Sequence, residues 1–354
     1  MRVGILTFPH APSLGAMLQM GALYHLIETL GHEVEIINYV SDKVNYQIKL
    51  PITAKSIIIK VISKFFLKSP EPSYREFRSK LKMYPAEPTF SEADLEKINR
   101  RFERIIVGSD QVWNPDVTGH DLAYFLDFCH DKSKKASYAA SFGYMHVDET
   151  AKAKIAELLN DFTYLGVREK QGQKIVRDLT GREAVVVLDP TLLVDSSYLR
   201  REMKKCSRKS KYVLFFCIKP SNTLYSIAQE YANENGYEFV TIGGKIKDRF
   251  DPRRHAIYGT GPKEFLGLID GAQCVFTNSF HGMAISIALH TDFFVEYSSD
   301  TNSRLSNVID MLHLHDRVVN ATVPQSRNID FDTVEEILNV ERKKSLEYLQ
   351  SIVD

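Results

Sequence analysis

The segment "TNSFHGMAISIALH" places a histidine where a chemical step could occur. An apolar run, residues 274–276, precedes it and a helix-like apolar run, residues 283–289, follows, so we predict that His281 lies in the first turn of a helix that begins just after a strand. The N–H groups and dipole of such a turn favour an anion, and a histidine there can add charge or exchange a proton near neutral pH. In the purely structural alternative, Asn278 or Ser279 caps the helix and His281 bonds a nearby carbonyl.

Other polar or small residues follow the remaining predicted strands. Ligands of open α/β sheets bind at the carboxyl ends of the strands, so these are candidate binding residues: Gly15, Ser109, Asp110, Ser141 and Arg168, together with Asn278 and Ser279 beside His281. Arg168 fits a clamp for a carboxylate or phosphate, or an ion pair with Glu169 or a neighbouring acid. Residues 108–110 fit a cradle for an acceptor hydroxyl, with Asp110 as a base, or a tight turn. Arg304 starts a predicted helix and either brings a second arginine to the cleft or belongs to an ordinary capped helix.

Neither a metal nor a cofactor is indicated by the motifs. The chain contains no glycine-rich dinucleotide or phosphate loop, no HExxH and no GxSxG. Its four cysteines are far apart and fit no metal spacing. We therefore expect the chemistry to come from side chains brought together across a cleft, without metal or cofactor, and a reducing cytoplasm as the setting.

The composition is that of an ordinary globular protein. The 354 residues are 44% apolar and 25% charged, and 45 basic residues balance 45 acidic ones. A net charge of zero argues against general nucleic-acid binding, so we predict no nucleic-acid partner. The sequence contains no run of 18 apolar residues, which is the length that would indicate a membrane-spanning helix.

The elements that must position these residues alternate between strand and helix, which predicts mostly parallel sheets covered by helices. The predicted strands are residues 3–8, 34–38, 104–107, 136–140, 164–167 and 184–188, and then 212–218, 239–242, 273–277 and 293–296. The main predicted helices are residues 15–30, 151–160, 170–179, 224–235, 262–270, 305–312 and 334–352.

These strands suffice for two sheets and so for two domains. The pattern breaks near residues 189–197, where a proline and two serines occur. We predict an N-terminal domain over residues 1–193 and a C-terminal domain over 194–333. A final helical segment, 334–354, is expected to pack back on the first domain.

Residues 41–103 show no clear strand, and we interpret them as a helical insertion in the first domain. They contain "TAKSIIIKVISKFFLK", residues 53–68, in which four lysines alternate with isoleucines and phenylalanines. A basic amphipathic helix of this kind fits an anionic membrane surface. It equally fits a surface helix that packs on its own domain, or on a second subunit of a homo-oligomer.

Eight sequence blocks together resemble the polysaccharide pyruvyl transferase family. They are "GILTF", "GAMLQ", "IIVGSDQVWNP", "ASYAASFG", "GVREKQG", "VLDPTLL", "TNSFHGMAISIAL" and "NSRLSNVIDML". The blocks keep the family's order and cover roughly residues 3–319. The combination of "GSDQVWN" and "SFHG" is the most specific part of the match.

The resemblance implies two Rossmann-like domains that face a cleft, in a glycosyltransferase-B-like arrangement. It implies that phosphoenolpyruvate is the donor and that a lipid-linked or nucleotide-linked saccharide is the acceptor, which receives pyruvate as a ketal during cell-surface polysaccharide biosynthesis. The C-terminal domain would then hold the donor and the N-terminal domain the acceptor. By motif, the family's donor histidine is His281 and one donor arginine is Arg168.

Two departures from the family pattern keep other functions open. Many members carry arginine two residues before the histidine, where this chain has Ser279, and Arg304 is a candidate replacement. Many members also have Asn-Tyr-Gly where this chain has Ser13-Leu14-Gly15. One alternative is a nucleotide-sugar-dependent glycosyltransferase on the same fold. Another is a family member that binds a saccharide or anion without catalysis.

Overall fold

The structure, a computed structural model, describes residues 1–41, 70–89, 92–144, 147–243, 255–297, 302–319 and 328–354. The basic segment 53–68, for which the sequence suggests a membrane or subunit contact, lies outside the described residues. None of the described helices is both long and apolar enough to cross a membrane.

The first half of the chain forms a parallel sheet in the order β3-β2-β1-β4-β5. Two short strands, β6 and β7, pair in parallel with each other. Isolated β-bridges connect the chain around β6 with the chain around β5, so this pair extends the first sheet. The strands are β1 (Arg2–Leu6), β2 (Glu33–Tyr39), β3 (Met83–Thr89), β4 (Arg104–Val107), β5 (Lys135–Ser137), β6 (Gly166–Val167) and β7 (Val185–Val186).

The second half repeats this strand order in a second parallel sheet, β10-β9-β8-β11-β12. Its strands are β8 (Tyr212–Phe216), β9 (Glu238–Ile242), β10 (His255–Ile257), β11 (Cys274–Thr277) and β12 (Phe293–Val295). In each of these parallel sheets, the order of the strands reverses beside the first strand of that half of the chain. This topology is that of two Rossmann-like units. The predicted fold class is therefore confirmed.

Helices connect these strands and cover both sheets. Those of the first half are α1 (Leu14–Thr29), α2 (Glu71–Arg78), α3 (Glu92–Arg101), α4 (Pro115–Thr118), α5 (Glu149–Asn160), α6 (Lys170–Thr180), α7 (Pro190–Leu193) and α8 (Ser196–Glu202). Those of the second half are α9 (Asn222–Glu234), α10 (Pro262–Asp270), α11 (Phe280–Leu289), α12 (Asn302–Met311) and α13 (Phe331–Val353).

Three helices hold the two units together. All ten residues of α11 are buried, as are nearly all residues in the first half of α1. A helix that is apolar on every side must lie inside the core, and α7 packs against both of these helices. The last helix, α13, returns to the first unit, where Tyr348 donates a hydrogen bond to the Ser137 carbonyl and the Leu188 N–H donates to Ser345.

The prediction that residues 41–103 contain no clear strand was wrong. Strand β3 pairs with β2 within this region, although its sequence, MYPAEPT, contains two prolines. Proline cannot donate to a neighbouring strand and is therefore confined to sheet edges. As the edge strand of the first sheet, β3 tolerates both prolines, and they hid the strand in the sequence.

Candidate functional site

The carboxyl ends of the two sheets meet at one buried polar cluster. The first sheet contributes the residues that follow β4, β6 and β7, namely Ser109, Arg168 and Asp189. The second contributes His281 from the start of α11, just after β11. This is the place where open α/β sheets bind ligands, and here two such edges face one another.

Asp189 lies at the centre of this cluster and is completely buried. It is the N-cap of α7, where its Oδ1 accepts hydrogen bonds from the N–H and the hydroxyl of Thr191, and Pro190 occupies the first helical position. Its Oδ2 lies 2.9 Å from Arg168 Nη2 and accepts from Ser109 Oγ at 3.1 Å. Burial alone would raise the pKa of the Asp189 carboxyl, but Arg168, His281 and Thr191 outweigh it and hold this pKa below its usual value.

His281 is the second position of α11 and is 7% exposed. The helix begins here because Ser279 caps it, accepting a hydrogen bond from the N–H of Gly282. Gly282 has no side chain to separate α11 from β11, and a Cβ there would lie 2.6 Å from Thr277 Oγ1. The His281 Nε2 atom lies 3.7 Å from Asp189 Oδ2, which is longer than a hydrogen bond but within ion-pair range for a protonated ring.

A cavity of about 770 Å³ opens on the other side of this histidine. Both units contribute to its wall, and apolar side chains predominate; the wall includes Gly15, Tyr74, Phe216, Thr260, Ser279 and His281. The first turns of α1 and α11 both reach this wall. Concave, mostly apolar sites with a few polar groups are typical of small-molecule binding. Among the described residues, no group of His, Cys, Asp and Glu side chains could hold a metal ion.

Gly15 brings α1 into direct contact with the His281 ring, since a Cβ at this position would overlap Nδ1. Gly15→Ala should therefore displace the imidazole and lower turnover by about 10²-fold, because misplacing a catalytic group by about 1 Å has an effect of that size. Gly21→Ala in the same helix is the matched control, since its Cβ would meet Phe77 instead. Equal turnover in the two variants would contradict the role of this contact.

A comparison of sequences identifies the family. Residues 14–300 match the sequence profile described as polysaccharide pyruvyl transferase. The chain belongs to the polysaccharide pyruvyl transferase family. Membership indicates a transferase of polysaccharide biosynthesis. No curated protein is similar enough in sequence to count as a relative.

Solved structures with the same overall fold have other activities in their names. UDP-GlcNAc 2-epimerase of Methanocaldococcus jannaschii, in complex with UDP-GlcNAc and UDP, superposes with a TM-score of 0.51 at 13% identity, over 100% of this chain and 99% of that one. A putative UDP-N-acetylglucosamine 2-epimerase of Listeria monocytogenes gives 0.54 at 11% identity, over 98% and 90%. An alpha-glucosyltransferase in complex with UDP and DNA gives 0.51 at 11%, over 99% and 94%. At these identities the likeness shows the fold alone, which is glycosyltransferase-B-like.

Arg168, the arginine that the family pattern assigns to the donor, is fully enclosed in this pyruvyl transferase family member. Its Nη2 contacts Asp189 and donates to Ser109 Oγ at 2.6 Å, and its guanidinium lies over the Phe280 ring. Arg168 and Asp189 both border a void of about 30 Å³, and neither is among the described residues that line the large cavity. The sequence allowed an ion pair with Glu169 or a neighbouring acid, and the structure pairs Arg168 with two other acids, Asp189 and, at 3.6 Å, Asp110.

Arg168→Lys tests whether this side chain stabilises the fold or binds the donor. A lysine keeps the charge but cannot contact Asp189 and Ser109 with a planar fork. We expect the free energy of unfolding to fall by roughly 1.5–3 kcal/mol, the contribution of a charged hydrogen bond, with little change in donor affinity. Chemical denaturation and calorimetric titration with phosphoenolpyruvate measure the two quantities. Weaker donor binding at unchanged stability would return Arg168 to the role of a donor clamp.

Arg304 comes from the second unit but lies among charges of the first. It is 7% exposed, and its Nε has no hydrogen-bond partner within the part of the chain that the structure describes. Burial and the nearby positive charge of Arg168 lower the pKa of Arg304, while Asp110, Glu169 and Asp189 oppose this shift. The predicted second arginine thus reaches the polar cluster, on the Arg168 side of it. Its contact with a donor remains a prediction.

Ser141 and Glu169 form the adjacent part of the cluster. Ser141 donates to Glu169 Oε1 at 2.9 Å, and no described residue forms a hydrogen bond with Glu169 Oε2. Burial raises the pKa of the Glu169 carboxyl, against the opposing effects of Arg168 and Arg304. This part of the cluster therefore contains a carboxyl group that the sequence offered only as an alternative partner of Arg168.

Two further candidates have structural contacts. The Asn278 amide oxygen accepts from the N–H of Ile218, and its amide nitrogen donates to the Lys219 carbonyl. Asn278 thus anchors the loop that follows β8. Ser279 is the buried cap of α11, so an arginine at position 279 would remove this cap.

Sequence reasoning missed Asp189, although a signal was present. The residue follows β7, as the other candidates follow their strands, and "LDPTLL" matches the family. The proline and the nearby serines suggested a domain boundary instead. In the structure the same residues start helices α7 and α8, and Asp189 is both a helix cap and the partner of Arg168.

Proposed function

We propose that the protein transfers pyruvate from phosphoenolpyruvate onto two hydroxyls of a saccharide as a ketal, in cytoplasmic steps of cell-surface polysaccharide biosynthesis. The observation that carries the proposal is the position of His281 in a member of this family. The histidine lies in the wall of the large cavity, between the carboxyl ends of the two sheets, with a buried carboxylate behind it.

The reaction needs a proton donor beside the methylene carbon of the donor. Protonation of that carbon makes the central carbon electrophilic, and the first sugar hydroxyl attacks it and loses its proton. The second hydroxyl then displaces phosphate and closes the ketal, and its proton leaves with the phosphate. His281 fits the role of the acid in the first step and of the base that receives the hydroxyl proton.

The donor also needs partners for its phosphate and carboxylate. Helices α1 and α11 direct their first turns at the cavity wall near Gly15 and His281. The N–H groups of a first turn have no partner within the helix and, with the helix dipole, favour anions. Two such turns and a protonated imidazole offer positive potential to a small molecule that carries both a phosphate and a carboxylate.

A nucleotide-sugar-dependent glycosyltransferase is the second candidate. The cavity of about 770 Å³ is larger than phosphoenolpyruvate alone requires, and solved structures of the same fold contain UDP or UDP-GlcNAc. In this alternative, the first turn of α11 would face a diphosphate.

Two measurements separate the candidates. We expect phosphoenolpyruvate to raise the melting temperature more than any member of a panel of nucleotide sugars does, since a ligand stabilises the fold that binds it. We also expect release of phosphate from phosphoenolpyruvate when suitable lipid-linked or nucleotide-linked saccharides are added. Stabilisation by a nucleotide sugar alone, followed by release of its nucleotide to a sugar acceptor, would favour the glycosyltransferase.

A further inference from the structure

We propose that His281 exchanges its proton through Nδ1, and that Asp189 is the positioning residue that keeps Nε2 turned away from the cavity. The inference rests on the proposed function and specifies which atom of the site reacts.

The two ring nitrogens of His281 have different neighbours. Nε2 is buried, has no hydrogen-bond partner among the described residues and lies 3.7 Å from Asp189 Oδ2. Nδ1 is the ring atom nearest to the position that a Cβ on Gly15 would occupy. Gly15 and His281 both line the cavity, whereas Asp189, which Nε2 approaches, is not among the described residues of its wall. On this basis the Nδ1 edge is assigned to the ligand side.

Asp189 is held too firmly to turn away from this ring. Thr191 donates two hydrogen bonds to its Oδ1, and Arg168 and Ser109 occupy its Oδ2. An ionised carboxylate is an acceptor only. The nitrogen that faces it must therefore carry the hydrogen. In a neutral imidazole the other nitrogen is then the free acceptor, which is Nδ1.

A flipped ring does not satisfy these contacts. Turning the imidazole by 180° about its Cβ–Cγ bond exchanges each nitrogen with a carbon. A carbon would then face Asp189 Oδ2, and the buried carboxylate would lose its contact with Nε2 of His281. The observed orientation is the one that pairs unlike charges when the ring is protonated.

The reaction then uses one nitrogen in both directions. The protonated ring gives the Nδ1 hydrogen to the methylene carbon of the donor, and the Nε2 hydrogen stays directed at Asp189. The neutral ring next accepts the proton of the first sugar hydroxyl on Nδ1, which restores the protonated ring. Asp189 touches neither substrate and keeps its charge throughout.

The tautomer of the free, full-length protein tests the inference without any substrate. Protein labelled with ¹⁵N-histidine is measured by long-range ¹H–¹⁵N NMR above the pH at which His281 loses its charge, and His281→Asn identifies the signal. We expect the neutral ring to carry its hydrogen on Nε2. A hydrogen on Nδ1, or an equal mixture of both forms, would overturn the inference.

Two variants of the carboxylate site provide the second readout. Asp189→Asn should lower kcat by about 10²-fold or more, because an amide no longer selects one tautomer, with less than a twofold change in the Kd of phosphoenolpyruvate. Thr191→Val is a milder change that removes one of the two hydrogen bonds to Asp189 Oδ1, and it takes the place of the asparagine variant if that variant does not fold. It should lower kcat severalfold and leave the Kd of phosphoenolpyruvate unchanged. Unchanged kcat in a folded variant would contradict the inference.

The outcomes distinguish this inference from the proposed function. If phosphoenolpyruvate neither binds nor reacts, the proposed donor is wrong, and the tautomer still reports on Asp189. If the enzyme turns over phosphoenolpyruvate but His281 carries its hydrogen on Nδ1, the function stands and the role of Asp189 falls.

Discussion

His281→Asn should lower turnover by about 10²-fold or more, the usual contribution of an acid–base group, and leave the melting temperature nearly unchanged. Asparagine can hydrogen-bond but cannot deliver a proton, so the donor would bind without reacting. Stability should change little, because the contact of this ring with Asp189, at 3.7 Å, is too long for a hydrogen bond. Phosphate release from phosphoenolpyruvate and thermal unfolding measure the two effects.

His290→Asn is the matched control for this variant. His290 lies at the other end of α11 in a left-handed conformation, which asparagine tolerates, and it pairs with Glu335 at 3.0 Å. The control removes a histidine from the same helix but far from the cavity wall, so full turnover is expected. A large loss of stability in His281→Asn, with normal turnover per folded molecule, would show that His281 is structural.

The position of His281 could be predicted because the rule behind it is local. An apolar strand, a polar turn and an apolar helix follow one another within a short segment, and the carboxyl end of a parallel strand is a general ligand site. The structure has β11, the Ser279 cap and α11 at these places. Ser109 and Arg168 were found in the same way, since each follows a strand.

The partners of these residues could not be predicted, because they come from distant parts of the chain. Ser109, Arg168 and Asp189 belong to three different strand ends, and His281 belongs to the other unit. A sequence shows that an arginine follows a strand, but not that a buried carboxylate occupies its fork. For this reason the sequence left both a donor clamp and an ion pair open for Arg168. The structure shows the ion pair with Asp189, and a contact between Arg168 and the donor stays a prediction.

Asp189→Asn should also have a large effect on stability. Removing one partner of a buried ion pair leaves the other charge uncompensated, and such changes cost about 3–5 kcal/mol. Here Arg168 would remain buried with the neutral hydroxyl of Ser109 at 2.6 Å and the weaker approach to the Asp110 carboxylate at 3.6 Å. We expect the free energy of unfolding at neutral pH to fall by that amount, measured by chemical denaturation. A loss below about 1 kcal/mol would show that Arg168 finds other partners.

Asp195→Asn separates the buried pair from the helix cap, because Asp195 caps α8 just as Asp189 caps α7 but lies on the surface. Asparagine caps a helix about as well as aspartate does, so this control should lose almost no stability.

The stability that Asp189→Asn loses should also depend on pH in a definite direction. The pKa of Asp189 is lower in the folded than in the unfolded protein, so its contribution is fully present above the ordinary range of aspartate, about pH 4, and declines as the pH falls further. The stability difference between wild type and Asp189→Asn should therefore be largest near pH 7 and shrink in acid, whereas a purely steric defect would be constant with pH.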